Sequence, residues 1–400
     1  MEIRSITLFA AANANPTVFT PFLAAARRAF PLPVQTVRLA TPSFPDWWTH
    51  PLTTASAPYV AELVQRWQDA GINYLSLGPV QLHHDPAWLD LIPSLIAAGP
   101  AFTSAAVADT HGNLDIARAQ RIAHIIRRNS VLQPNGFGNL YFAALAHCPP
   151  GSPFFPVAYH HGGPPHFAIA VQSADIALQA IQGAHSLDAA RERLIAGIEQ
   201  QSARIAAAAH DLTRAFGIPF SGIDFSLAPF PDDQHTLGGA LEALGLAYLG
   251  GSGSLFAAAF ITEAINRAQF PRCGFSGLML PVLEDAVLAR RAAAGALTIA
   301  DLLSYAAVCG VGLDTLPLAG DIAEAELAGI LLDLAALACR LRKPLTARLM
   351  PLPGLAPGDP VTFDFPYFAN SRVMPSPGGG IRAPLPAASR IHLNPIPYTS

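Results

Sequence analysis

Val311-Gly-Leu-Asp-Thr-Leu-Pro317, then Ala323–Arg340, then Leu345-Thr-Ala-Arg-Leu-Met-Pro351 is the stretch whose reading decides the fold. The two short flanking runs are apolar, of strand length and bounded by Gly and Pro. The segment between them is Ala- and Leu-rich and long enough for a helix. Two strands buried on both faces with a helix between them predict a parallel, helix-covered sheet. Working outward, the same alternation recurs along the chain. Strands are predicted at Ile3–Ala10, Val34–Leu39, Ile72–Leu77, Ala101–Ala108, Leu140–Ala146, Phe167–Gln172, Gly222–Ala228 and Phe275–Val282. Helices are predicted at Thr17–Phe30, Pro58–Ala70, Ala87–Ala97, Leu114–Asn129, Asp188–Ala215, Leu255–Ala268, Glu284–Ala293 and Ile299–Val308. Thr41–Pro51 reads as a Pro-rich loop carrying Trp47 and Trp48. The pattern supports one α/β domain over residues 1–352 and a Pro/Gly-rich extension, 353–400, wrapped over it.

Composition narrows the function classes. Of 400 residues, 51% are apolar and 13% charged, the net charge is −4 and the mean hydropathy +0.34. That much apolar surface excludes a disordered chain, and the lack of a basic stripe argues against nucleic acid as a partner. The most apolar windows, Gly329–Cys339 and Leu255–Ile265, are bounded by charge well short of the roughly 20 residues a bilayer span requires. Glu2 and Arg4 interrupt what would be the h-region of a signal peptide. Cys148, Cys273, Cys309 and Cys339 are scattered and form no CxxC, which fits a reducing, cytoplasmic setting. The expectation is a cytoplasmic protein with no membrane partner. Its apolar surplus also suggests a homodimer.

In parallel α/β proteins ligands sit where strands end and helices begin. Tyr248-Leu-Gly-Gly-Ser-Gly-Ser254 opens a helix, and its successive backbone N–H groups suit an anion; Gly250, Gly251, Ser252, Gly253 and Ser254 are therefore ligand-binding candidates. The alternative is a tight turn with Ser254 as helix cap. Glu284-Asp285 follows a strand; adjacent acids on a helix cannot share one pocket, so at most one of them is a general-base candidate. Asp224 and Asp314 lie inside apolar strands, where a carboxylate must be paired, hydrogen-bonded or protonated. Arg348, in the strand after the next helix, is the expected partner of Asp314, and a purely structural pair is the competing reading. Cys309 is a candidate nucleophile only if its thiolate is stabilised, and no histidine is near in sequence. His160, His161 and His166 cluster in one loop, and His83-His84-Asp85 in another. Neither matches HExxH or a zinc-finger spacing, so no metal ligand is assigned, although His160 is kept as a ligand-contact candidate.

Several segments in order, Ile3–Phe9, Ser152-Pro-Phe-Phe-Pro-Val-Ala-Tyr-His160, Asp224-Phe-Ser-Leu-Ala-Pro229, Gly250–Ser254, Phe275–Asp285, Val308-Cys-Gly-Val-Gly-Leu-Asp314 and Thr346–Gly354, resemble the DUF711 family. That family is related to the UPF0210 proteins and is often labelled PFL-like. The resemblance implies a closed α/β barrel of about ten strands with surrounding helices, like that of pyruvate formate-lyase and other glycyl-radical enzymes; the ten strand candidates agree with it. Radical chemistry does not carry over. Ser371-Arg-Val-Met-Pro375 has Met374 and Pro375 where the radical motif needs Ser and Gly, and there is no adjacent cysteine pair. Three functions follow as expectations. The first is a non-radical enzyme holding a small anionic metabolite in the barrel mouth, with cofactor unknown. The second is a non-catalytic sensor, in line with UPF0210 relatives paired with ACT-domain proteins. The third is a metallo-hydrolase using His160, His161 or His166.

Overall fold

The computed structural model describes residues 1–51, 53, 58–381 and 390–397; the expected wrapping of 382–389 and 398–400 lies outside the described residues. Its strands are β1 (Glu2–Phe9), β2 (Val34–Ala40), β3 (Tyr74–Val80), β4 (Ala101–Ala108), β5 (Asn113–Asp115), β6 (Phe142–Ala146), β7 (His166–Gln172), β8 (Phe220–Ala228), β9 (Gly312–Ala319) and β10 (Leu345–Leu352). They form one large mixed sheet in the order β8-β7-β1-β2-β3-β4-β6-β10-β9, with the short β5 off this path and paired antiparallel to β4. β1, β2, β3, β4 and β6 are mutually parallel. β7 and β10 run antiparallel to the outer members of that block, and each has a parallel neighbour, β8 and β9. Helices cover the outer face, as the βαβ reading of 311–351 requires. Among the described residues no helix is long and apolar enough to cross a membrane.

Strand alternation sorts the two faces. In β1, Ile6 and Leu8 join the main core under the helices, while the Ser5 and Thr7 hydroxyls point the other way and donate to the Pro153 carbonyl at 3.2 and 3.0 Å. In β2, Val37 and Leu39 are core residues, which turns Thr36 and Arg38 inward. A fully buried side chain of Leu or Ile size contributes about 1.5–3 kcal/mol, so the helix-covered face carries most of the stability. The inner face holds small clusters instead, filled by the loop after β6: Phe155 packs with Phe9, Ala40 and Ala168, and Phe154 with Ala170, Ala228 and Met279. Ser76 donates to the Ala158 carbonyl at 2.7 Å and ties the same loop to β3.

The expected strand Phe275–Val282 is not a regular strand. Gly274 (φ +61°) and Ser276 (φ +41°) break it, and Gly274 is required there because a Cβ would meet Asp224 Oδ2 at 2.1 Å. Residues 271–283 nevertheless bond to both edges of the sheet. Ile223 N donates to Pro271 O and Met279 N to Ser226 O on the β8 side; Val282 N donates to Asp314 O on the β9 side. Two helices missed in the sequence, Ala174–Gln182 and Leu237–Ala243, add to the outer layer.

Candidate functional site

Arg4 at the register shift between Ile3 and Ser5 of β1, Asp314 of β9, Arg348 of β10 and Glu284 just after segment 271–283 bring four charged side chains into one chain of contacts. Arg4 Nη2 donates to Glu284 Oε2 at 2.6 Å. Arg348 Nη2 donates to Glu284 Oε1 at 2.6 Å, and its Nε donates to Asp314 Oδ1 at 2.6 Å. All four are largely removed from water. The adjacent acids divide as the helix geometry demands. Asp285 caps the helix Ala286–Ala293 and also accepts from Leu237 N and Gly238 N, which leaves Glu284 as the one that turns inward.

These groups form the floor of a cavity of about 290 Å³. Its walls are aromatic: Tyr74, Phe102, Phe137, Tyr141, Phe155 and Phe365 are among them. Phe365, Tyr367 and Phe368 come from the segment after β10, and Phe368 packs on Met350 and Leu283. Arg38 also lines the cavity. Its Nε donates to Thr36 Oγ1 at 2.8 Å, and its guanidinium carbon lies 5.1 Å from the centre of the Phe155 ring and 5.6 Å from that of Tyr74. Among the described residues no carboxylate pairs with Arg38. Three guanidinium groups therefore meet two carboxylates, and positive charge is left over.

Electrostatics separates the two acids. Burial works against the Glu284 carboxylate, yet Arg4 and Arg348 hold it below the usual range. Burial raises Asp314; Arg348 opposes the shift and the neighbouring Glu284 adds to it. Asp314 is thus the easier of the two to protonate. Burial, then Arg4, lowers Arg38 to about 9, which still leaves it a cation at neutral pH.

Other expected site residues lie elsewhere. Asp224 is fully buried, accepting from Phe275 N at 2.7 Å, Ser276 N at 2.9 Å and Ser226 Oγ at 2.5 Å. It holds the irregular segment 271–283 against β8 and does not line the cavity. Cys309 is buried at a helix C-terminus, and burial pushes its thiol up to about 11, the opposite of what a nucleophile needs. Gly250, Gly251, Ser252, Gly253 and Ser254 do not converge on Arg348. No strand precedes this turn; it links two outer helices, and the strand-end rule therefore never applied. Ser254 Oγ accepts from Gly250 N and donates to Gly251 O, using the turn's polar groups internally. At Gly250 (φ +101°) a Cβ would meet Ala296 O at 1.9 Å, so close packing explains that glycine. His160 lies in a second cavity, beside His161.

Arg4 and Arg38 carry the signal that singled out Arg348, a charge inside an apolar strand. Arg38 went unassigned because a lone in-strand cation has no sequence neighbour to name as its partner.

The sequence profile described as "Uncharacterised ACR (DUF711)" matches residues 4–369. The chain belongs to the DUF711 family. Curated relatives of this DUF711 chain carry the name UPF0210 protein. That of Pyrobaculum aerophilum is 35% identical over 263 residues, covering 63% of this chain and 57% of the relative. Those of Methanopyrus kandleri and Pelotomaculum thermopropionicum are 30% and 29% identical, each covering 73% of this chain and 68% of the relative. The chain thus spans less than two thirds of the Pyrobaculum aerophilum protein's length.

Proposed function

We propose that this protein binds a small carboxylate- or phosphate-bearing metabolite with an apolar or aromatic body in the cavity above Arg348, and that Asp314 is the group placed to exchange a proton with it. In this reading segment 271–283 joins the nine strands of the ordered path as a further, irregular strand between β8 and β9, closing the sheet into a ring around the cavity. Arg38 carries the proposal. A largely buried cation near two rings, with no carboxylate partner among the described residues, lacks a counter-charge in the cavity it lines, and a ligand anion supplies one. The aromatic walls favour an apolar body, and the volume limits it to a small one.

Thermal denaturation with benzoate and phenylacetate, set against benzamide and benzylamine, tests this. The two acids are expected to raise Tm and the amide and amine to leave it unchanged; Arg38→Gln should abolish the shift. Equal shifts from acids and amide, or full retention in Arg38→Gln, would overturn it.

A second reading, binding without turnover, is favoured by the pairing of Arg4, Glu284, Arg348 and Asp314 into one network. Asp314→Asn separates the two. Loss of conversion of a bound acid, followed by NMR, with its Kd retained supports proton transfer, whereas an absence of conversion in the wild type supports the sensor.

A further inference from the structure

The loop His160-His161-Gly162-Gly163-Pro164-Pro165-His166 folds back on itself, and Gly162 (φ +91°) and Gly163 (φ +86°) make the reversal. It brings three imidazoles together at the carboxyl end of β1. Ring centres are 5.0 Å apart for His160–His161, 5.1 Å for His160–His166 and 5.7 Å for His161–His166. One nitrogen from each lies within 4.8 Å of the others. Metal–nitrogen bonds of about 2.0–2.1 Å at tetrahedral angles put three ligand nitrogens about 3.3 Å apart and their ring centres about 5 Å apart. The loosest pair includes His161, which is exposed.

A second observation is independent of this spacing. His160 is 2% exposed. Its Nε2 lies 3.3 Å from Gly163 O, so it carries the proton and donates. Nδ1 is then a bare lone pair, buried and without a hydrogen-bond partner among the described residues. An unpaired buried acceptor is destabilising, and a bound cation removes that cost. His166 is held in the same fashion, hydrogen-bonded to the Pro164 backbone and stacked on Phe9 at 4.7 Å. Metal-binding histidines commonly donate their second N–H to a carbonyl in this way, which sets the tautomer.

We infer that His160, His161 and His166 form a three-histidine site for a borderline divalent cation of the zinc class. Three neutral nitrogens without a carboxylate do not suit magnesium or calcium. Three protein ligands leave a coordination position for water or substrate, and the site borders a cavity of about 470 Å³ whose walls include Asp46, His83, Asp109 and His111. This cavity shares no lining residue with the aromatic one. The two proposals therefore stand or fall separately.

The test uses full-length, tag-free protein stripped with EDTA and titrated with Co²⁺, followed by visible absorption, with folding checked by circular dichroism. One equivalent should give the intense bands of a four- or five-coordinate ion, and Zn²⁺ should displace it. His160→Gln and His166→Gln should raise the Co²⁺ Kd by about 100-fold. The exposed His161→Gln, which leaves the packing intact, should raise it at least about 10-fold. His83→Gln, in the neighbouring Asp46–His83–His84 group, should change it less than about 2-fold. Only weak octahedral absorption in the wild type, or a loss in His83→Gln with none in His161→Gln, would overturn the assignment.

Discussion

Asp224 and Asp314 occupy comparable places, each inside an apolar strand of the same sheet and each buried. Their surroundings differ. Asp224 is satisfied by two backbone N–H groups and a serine hydroxyl, all supplied by the segment it anchors or by its own strand. Asp314 is satisfied by a guanidinium that it shares with Glu284, and it faces a cavity. Backbone partners cannot leave without unfolding the segment that provides them, so the first acid is architecture. A shared side-chain cation redistributes when a ligand or a proton arrives, so the second can take part in chemistry.

The largest effect should come from removing the shared cation. Arg348→Met leaves Asp314 unpaired and Glu284 with Arg4 alone, and should destabilise the fold by about 3–5 kcal/mol in urea denaturation. A loss below about 1 kcal/mol would mean that the pocket charges are not coupled as the distances imply.

Asp224→Ala comes next, at about 2–3 kcal/mol near pH 5, because two buried N–H donors lose their acceptor. Its cost should depend on pH. Burial raises the folded-state carboxyl to about 6 from 3.8. A raised folded pKa gives a contribution that is full below the unfolded value and lost as pH rises through the folded one. The cost of Asp224→Ala should therefore shrink between pH 5 and pH 7.5; growth over that interval would show the charged form to be the favoured one. Benzoate binding should survive this substitution at any pH where the protein is folded.

Gly250→Ala should cost about 1–3 kcal/mol through its left-handed backbone and the contact with Ala296, with anion binding unaltered in the thermal-shift assay. Altered binding would return the glycine turn to the site. The smallest change in stability is expected from Arg38→Gln, within about 1 kcal/mol, since no ion pair is broken. In that variant, loss of binding without loss of Tm is the signature that separates a recognition group from a structural one.

Much of the outer architecture was legible from local pattern. Apolar runs and Ala-rich helices placed nearly every strand of the sheet within a few residues. The same pattern failed at Phe275–Val282, where a run of strand composition is bent by Gly274 and Ser276 to meet Asp224. It failed again at Gly250–Ser254, where a glycine-rich helix start resembles an anion loop unless one knows that no strand precedes it. The Asp314–Arg348 contact was legible because two in-strand charges separated by one helix fall on neighbouring parallel strands. Arg4 and Arg38 come from the opposite side of the sheet, and no spacing along the chain connects them to Glu284.

By itself, then, the order of residues determined where most strands and helices fall and that a few charges must be buried, because those properties depend on neighbours within a turn or a strand. Only the tertiary structure decided which buried charge meets which, and that Arg38 is left without a carboxylate among the described residues. Those outcomes depend on strand order and on a loop laid across the inner face of the sheet. Contacts between residues hundreds of positions apart leave no local trace in the chain that makes them.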